Sequence, residues 1–265
     1  MAGMKKAKSD YLIQSVSRAL DILEAFAVGQ EELGVTELSR KLKLHKNNVF
    51  RLLATLETRG YVEQDKETGN YRLGIKTFEV ASVFLHHLGL ATQAHSALDQ
   101  LAAETTETAY LGVLEGPGVV CVDMAETTHA VRVVSYLGQR LPAHASALGK
   151  AQLAFRPQDE LEQLWKQYEP SAVTPRTLTD PARLGEELAR VAAEEVALED
   201  EESAPGVRGV AAPVRDYQKR VVGAVGVVGP VFRLTLERLQ GELVPRVKAA
   251  AQAVSKRLGY AAIPG

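Results

Sequence analysis

His144 and Ser146 stand two residues apart in "LPAHASALGK", the composition of a general base beside a nucleophile. Hydrolysis asks for more, namely a strained G-x-S-x-G elbow to expose the hydroxyl and an acid to orient the imidazole, and neither is recognisable here. In "GAVGVVG" the glycines are spaced three apart within a Val-rich run, whereas a dinucleotide site needs G-x-G-x-x-G opening a helix. Gly149-Lys150 lacks both the spacing and the following Ser/Thr of a phosphate-binding loop. His86 and His87 are adjacent, so they point to different faces of a helix, and no Cys or carboxylate cluster joins them or His95. The lone Cys121 has no partner for an intrachain disulfide and reads as a small buried side chain. No catalytic residue, metal site or cofactor is expected.

Binding chemistry is better represented. The small residues Ala145-Ser146-Ala147-Leu148-Gly149 sit where a helix should begin, and free backbone N–H groups at such a start favour a carboxylate. A small organic or aromatic acid would suit that place. Opposite it could lie "EDEESAPGVRGVAAP", whose acidic run Glu199 to Glu202 precedes a turn at Pro205-Gly206 and reads for the most part as a solvated loop.

A second chemistry is carried by "LHKNNVFR", where His45, Lys46, Asn47, Asn48 and Arg51 crowd one end of a segment. Asn pairs with adenine through two hydrogen bonds, and Lys with guanine or phosphate. Arg40, Lys41, Lys43, Lys46 and Arg51 come with no acid between Leu38 and Leu56, the footprint expected where a phosphate backbone docks. Net charge over the chain is -2, which argues against indiscriminate coating of nucleic acid. Residues 1–90 hold 13 basic and 11 acidic side chains, so the positive excess belongs to the N-terminal part.

The elements needed to position these groups are legible. Val49, Leu52, Leu53 and Leu56 follow i, i+3, i+4, i+7, one buried stripe of an amphipathic helix that stops at Gly60 and leaves its outer face for contact. Ala19, Leu20, Leu23, Phe26 and Ala27 predict a helix before it, ending near Gly29, and Thr36 is placed to cap a second helix over "VTELSRKLKL". After Gly60, "YVEQ" and "YRL" flank the turn Thr68-Gly69-Asn70 and predict a hairpin. Three helices and a hairpin make a winged helix-turn-helix, with Lys66, Asn70 and Arg72 on the wing beside the helix readers. A plain three-helix core with a polar surface, or a module using the Asn face for protein, shares this pattern.

Phe78, Ala81, Leu85 and Leu88 predict a connecting helix with a narrow apolar stripe suited to a helix partner. The larger second part alternates: a helix near residues 92–104, strands "TAYLGVL", "VVCVDM" and "AVRVVSYL", helices near 146–155, 158–166 and 181–197, a hairpin "VRGVAAPVRD"/"RVVGAVGVVG", and a closing helix over 233–258. Strands in hairpins with helices outside imply an α/β domain on an antiparallel sheet, so the whole chain is α+β. The expected division is 1–75 for the winged helix, 76–90 for the connecting helix and 91–265 for the second domain.

With 265 residues, 46% hydrophobic and 24% charged, the composition is that of a soluble globular protein. No apolar run reaches the roughly 18 residues needed to span a bilayer, and "MAGMKKAKSDYLIQ" lacks a signal-peptide core. A cytoplasmic protein without membrane contact is expected.

The blocks "SVSRALDILEAF", "RLLATLETRGYVEQD" with "YRLG", "HASALGKAQLA" and "GVAAPVRD…VVGAVGVVGP" occur in the order of the IclR family of bacterial transcriptional regulators, which this chain resembles over nearly its whole length. The resemblance implies a GAF-like effector domain behind the winged helix, a double-stranded DNA operator, a small carboxylated or aromatic effector, and assembly as a homodimer or a tetramer built as a dimer of dimers. Carried over by position, the effector pocket would include Ala145, Ser146, Gly149, Glu199 and Gly209, with Leu111, Val113, Met124 and Val134 as walls. Two departures stand out: Asn47-Asn48 where small hydroxyl residues usually follow the Lys, and Gly209 where a Cys or Ser usually precedes "AAP". The implied function is a ligand-responsive, sequence-specific DNA-binding regulator; the alternative is a GAF-like hydrolase anchored to DNA.

Overall fold

The computed structural model describes residues 12–26, 32–80, 89–134 and 137–260. It divides into two compact units, Met1–His87 and Leu88–Gly265.

In the first unit, α1 (Gln14–Phe26), α2 (Val35–Lys41) and α3 (Lys46–Thr58) precede a two-stranded antiparallel hairpin of β1 (Val62–Gln64) and β2 (Tyr71–Leu73). The apolar stripe of α3 is buried as Val49, Leu53 and Leu56 against Ile22, Phe26, Leu33 and Leu38. Each such residue taken fully from water contributes about 1.5–3 kcal/mol. Arg59 ends α3, and Gly60 then adopts φ +75°, a conformation that glycine enters without a Cβ clash. The start of α2 differs from expectation. Gly34 is its N-cap, with no side-chain cap bond, and Thr36 lies inside the helix. The wing supplies the reason: Leu33 and Tyr71 exchange both backbone hydrogen bonds, at 2.9 and 3.0 Å, and Asn70 Oδ1 fills the space beside Gly34. Residues 75–80 are helical; Ala81, Leu85, Leu88, His86 and His87 of the expected connecting helix lie outside the described residues, as do Ala27 and Gly29 at the end of α1.

The second unit is built on a six-stranded antiparallel sheet in the order β5-β4-β3-β8-β7-β6. Its strands are β3 (Thr108–Glu115), β4 (Gly118–Ala125), β5 (Arg140–Pro142), β6 (Ala197–Asp200), β7 (Val207–Arg215) and β8 (Val221–Pro230). One face carries α4 (Leu90–Thr105) and α8 (Val244–Arg257), packed through Leu98, Leu101, Val247 and Val254 onto Leu111, Val210 and Val225. The other face carries the short α5 (Ala147–Leu153), with Tyr110, Val119, Cys121 and Ala211 under Ala147, Leu148 and Ala151. Beyond it lie α6 (Gln158–Gln167) and α7 (Pro181–Glu194). Alternation along each strand sorts the side chains: Leu111 goes to α4 and α8, while its neighbour Tyr110 goes to α5.

Three expectations are corrected here. "AVRVVSYL" does not form the third strand: the described residues 130–134 are outside any strand, and β4 pairs with Arg140–Pro142 downstream. The acidic run is not a solvated loop throughout, because Glu199 and Asp200 belong to strand β6, paired with Gly209 and Arg208 of β7. The closing helix is interrupted. A helical turn at Leu236–Arg238 and a π-helical turn at Leu239–Leu243 precede α8, where Pro245 has no N–H to continue the regular ladder.

Candidate functional site

Two surfaces can do chemistry, one in each unit. In the first, α3 begins at Lys46 with His45 as its N-cap, and His45, Lys46, Asn47, Asn48 and Arg51 are all exposed. The inward stripe forces this, since residues out of phase with Val49, Leu53 and Leu56 must point to solvent. Ser39, Arg40, Lys43, His45, Lys46 and Asn47 line a shallow concavity where α2 meets α3, so the cations cluster at the start of the polar helix. Lys41 is set apart, its Nζ donating to the carbonyl of Ala25 at 3.0 Å.

On the wing, Lys66 is exposed at the tip, where Asp65 Oδ1 accepts from the backbone N–H groups of Glu67 and Thr68 at 2.8 Å each. Those bonds, Thr68 first, hold the Asp65 carboxyl below its ordinary range. Arg72 is exposed and paired with Glu63 at 2.6 Å, while Asn70 is half-buried with its Oδ1 against Gly34. Asn70 therefore braces the wing. Sequence reasoning passed over Phe50, which is 55% exposed on α3 although the other large apolar residues of that helix turn inward. Its position outside the i, i+3, i+4, i+7 set was the available signal.

The second surface is a cavity of about 230 Å³ in the face of the sheet under α5. Its apolar wall includes Tyr110, Val119, Leu141, Leu148 and Val228, and its polar groups include Ser146, Glu199, Ser203 and Gln139. Of the residues expected in the effector pocket, Val134, Ser146 and Glu199 line it. Leu111 and Val113 sit on the opposite face, packed with the α4 and α8 core, because β3 alternates and Tyr110 holds the inward phase. Met124 packs with the α5 cluster beside the cavity but outside its lining. Ala145 is fully buried in a 3₁₀ turn, Ala143–Ala145, and is not in the wall. Gly149 is structural: a Cβ there would stand 2.2 Å from the Ala143 carbonyl oxygen, so only glycine lets α5 lie against that turn.

Glu199 is the centre of the polar end. It is 2% exposed, and its Oε2 accepts the backbone N–H of Ala147 at 3.2 Å. Its Oε1 accepts the Ser203 hydroxyl and, at 3.3 Å, the Ser203 N–H. Burial pushes its carboxyl above the usual range, opposed by the bonds from Ser203 and Ala147. Gly209, paired with Glu199 across β6 and β7, contributes space: a Cβ there would come within 3.3 Å of Oε2. The start of α5 is thus already occupied. Ser146 caps it by accepting the Gly149 N–H at 3.2 Å, and Glu199 takes Ala147.

The loop bearing Ser203 is anchored by a buried ion cluster. Lys150 on α5, 1% exposed, reaches Glu202 at 2.7 Å and Glu187 on α7 at 3.1 Å. Burial raises the Glu202 carboxyl; at Glu187 burial acts the same way, but bonds from Arg190 and Lys150 outweigh it and lower the pKa. His144 and Ser146 do not act on each other. The imidazole Nε2 donates to the Ser171 carbonyl at 3.0 Å, and the hydroxyl oxygen is engaged as the helix cap. Cys121 borders the cavity as a thiol whose pKa burial pushes up to about 11. His95 is bonded to Asp123 at 3.0 Å, and among the described residues no three His, Cys, Asp or Glu groups converge as metal ligands. Among those residues no helix is long and apolar enough to cross a membrane.

Comparison with known proteins agrees with this arrangement. Residues 15–66 match the IclR helix-turn-helix domain and residues 82–256 the bacterial transcriptional regulator IclR C-terminal domain. The chain is 35% identical over 251 residues to the HTH-type transcriptional regulator XynR of Escherichia coli K12, covering 95% of this chain and 99% of that one. It is 32% identical over 242 residues to the transcriptional repressor IclR of the same organism, covering 91% and 88%. The crystal structure of Thermotoga maritima IclR superimposes with a TM-score of 0.76 at 29% identity, covering 93% of this chain and 99% of that one. Both of its domains match that family and its relatives align over nearly their whole length, so the chain belongs to the IclR family of ligand-responsive, DNA-binding transcriptional regulators.

Proposed function

We propose that α3 and the wing read an operator while the cavity under α5 receives the effector. The observation that carries this reading is the pairing of one exposed, acid-free helix start with one enclosed, largely apolar cavity in separate units. Asn47 and Asn48 are assigned to base edges, with His45 beside them, and Lys46, Arg51 and the wing residues Lys66 and Arg72 to the backbone or to guanine. Asn70 acts through the wing's position. The division of labour is 1–75 for DNA, 76–90 as connector and 91–265 for effector and assembly.

The protein works as a homodimer or a dimer of dimers on a two-fold symmetric operator, since two recognition helices must meet two half-sites. It acts in the cytoplasm and turns over no substrate. Val134, Ser146 and Glu199 belong to the effector site, joined by Tyr110, Leu148 and Ser203. A cavity of about 150 Å³ admits benzene, so the space here suits a molecule of about one ring. The place expected for an acid's carboxylate is taken by Glu199 itself. An effector preferring one arrangement of the subunits shifts the population toward it, and operator affinity changes by no more than that preference.

Fluorescence anisotropy with labelled DNA flanking the protein's own gene tests the reading. Binding is expected with an affinity that falls steeply with salt, as phosphate contacts demand. Equal affinity for scrambled DNA at every salt concentration would overturn it.

A further inference from the structure

A separate concavity, sharing no lining residue with the cavity under α5, lies where the end of β7 meets α8 and the end of α7. It is a cleft of about 180 Å³ whose polar groups include Arg215, Lys248, Gln252, Tyr260 and Glu195. β6 pairs with β7 only as far as Ala211, so the last residues of β7 form an open sheet edge. That edge is blunted against an added strand, since Pro213 has no N–H and the N–H of Arg215 is donated to Ser255 Oγ at 2.9 Å. Ser255 is buried and itself donates to the Ala251 carbonyl at 2.7 Å, which fixes the floor of the cleft. What remains for a ligand is side-chain chemistry.

That chemistry is cationic. The Arg215 side chain is 14% exposed, and its Cζ lies 4.7 Å from the centre of the Phe155 ring and 5.8 Å from that of Tyr260. Stacked rings engage the faces of a guanidinium and leave its in-plane N–H donors for other partners. Among the described residues its one ion-pair partner is Glu195, at 2.8 Å, a half-exposed carboxylate of the kind whose pairing adds little. Lys248 Nζ spends one donor on the Glu194 carbonyl at the end of α7, at 2.9 Å. Two cations against one acid therefore line the cleft, with donors to spare.

We propose that this cleft binds a small oxyanion, a phosphate or carboxylate group, held by the Arg215 guanidinium and the Lys248 ammonium with Gln252 and Tyr260 as further donors. The planar fork of Arg matches either group through two parallel hydrogen bonds, a recognition that chloride cannot satisfy. The volume is little above the roughly 150 Å³ that admits benzene, so the group comes on a small molecule. A ligand here touches β7, α8 and the residue that ends α7, and is a second input to the domain apart from the cavity under α5.

Calorimetry on the full-length protein at pH 7.5 tests this, with inorganic phosphate and acetate each titrated against a chloride background at constant ionic strength. Saturable binding of at least one of them is expected, and which one binds tells a phosphate from a carboxylate ligand. Gln252 is exposed on α8, so Gln252→Glu should keep the wild-type fold by circular dichroism while setting a like charge into the cleft. Affinity for the bound anion is then expected to fall at least about tenfold. Lys248→Gln, which removes a cation and leaves the floor intact, should weaken it as well. The start of α3 is also basic, so Arg51→Ala is titrated beside them and is expected to bind the anion as wild type does. No saturable binding of either anion overturns the inference. So does binding unchanged in both Gln252→Glu and Lys248→Gln, or binding lost in Arg51→Ala and kept in Gln252→Glu, which would put the anion on the first unit.

Discussion

The carboxylate of Glu199 lies 3.2 Å from the backbone nitrogen of Ala147, 52 residues earlier in the chain, and closes the start of α5 from the edge strand β6. The same carboxylate holds Ser203 in the loop after β6. A single side chain therefore ties helix, strand and loop together around the cavity.

Glu199→Leu is expected to destabilise the second unit by about 1–3 kcal/mol, because it leaves the Ala147 N–H and the Ser203 donors buried without an acceptor. Glu199→Gln retains one acceptor and should lose less. Urea denaturation followed by the fluorescence of Trp165 measures both.

Gly149→Ala places a Cβ 2.2 Å from the Ala143 carbonyl oxygen and 2.3 Å from its Cα. The clashing atoms are backbone of Ala143, which cannot swing aside as a side chain can, and overpacking of this kind costs about 1–3 kcal/mol or more. A fall in melting temperature with operator binding retained at low temperature is the expected result; an unchanged melt would contradict the close packing of α5 on the 3₁₀ turn.

Arg51→Ala is expected to weaken operator binding and to lower the slope of log affinity against log salt by about one. Asn47→Ala should instead cost about 1–3 kcal/mol on the cognate site and little on unrelated DNA. Anisotropy titrations at several salt concentrations separate the two roles.

Phe50 is exposed on the helix proposed to read DNA, where an apolar ring can contact a thymine methyl group. Phe50→Ala should leave stability within about 0.5 kcal/mol, as surface changes do, while operator affinity falls about tenfold, the equivalent of 1.4 kcal/mol. Thermal melting and anisotropy on the same variant check the pair of outcomes.

His95 and Asp123 give a pH dependence. The hydrogen bond and charge of Asp123, with Asp99 adding, raise the imidazole pKa above 6.5. Because the folded pKa exceeds the unfolded one, the pair's contribution is complete below about pH 6.5 and is lost as pH rises through the folded value. The difference in melting temperature between wild type and Asp123→Asn should narrow over that window. A difference constant from pH 5 to pH 9 would show that the imidazolium plays no part.

The amino-acid sequence alone determined the three helices and the hairpin of the first unit, though not where α2 begins. The stripe Val49, Leu53 and Leu56 dictates which residues of α3 are dry, and so which of His45, Lys46, Asn47, Asn48 and Arg51 are free to reach a partner. Hydrophobic periodicity is local information, and a helix-turn-helix is made of local contacts. The hairpin around Gly69 was legible for the same reason.

The cavity was decided by the tertiary structure. Whether Leu111 or Tyr110 faces it depends on the phase of β3 against β4 and β8, and a shift by one residue exchanges the two faces. "AVRVVSYL" has the composition of a strand, yet the backbone groups of Cys121 are taken by Gln139 and Gly138, and β4 pairs with Arg140–Pro142 instead. By composition Glu199 is one member of an acidic run, and only the family resemblance placed it in the pocket. Its partners Ala147 and Gly209 lie on other elements, and only pairing of β6 with β7 beneath α5 turns that carboxylate inward, because burial and counter-charge are properties of neighbours distant in the chain.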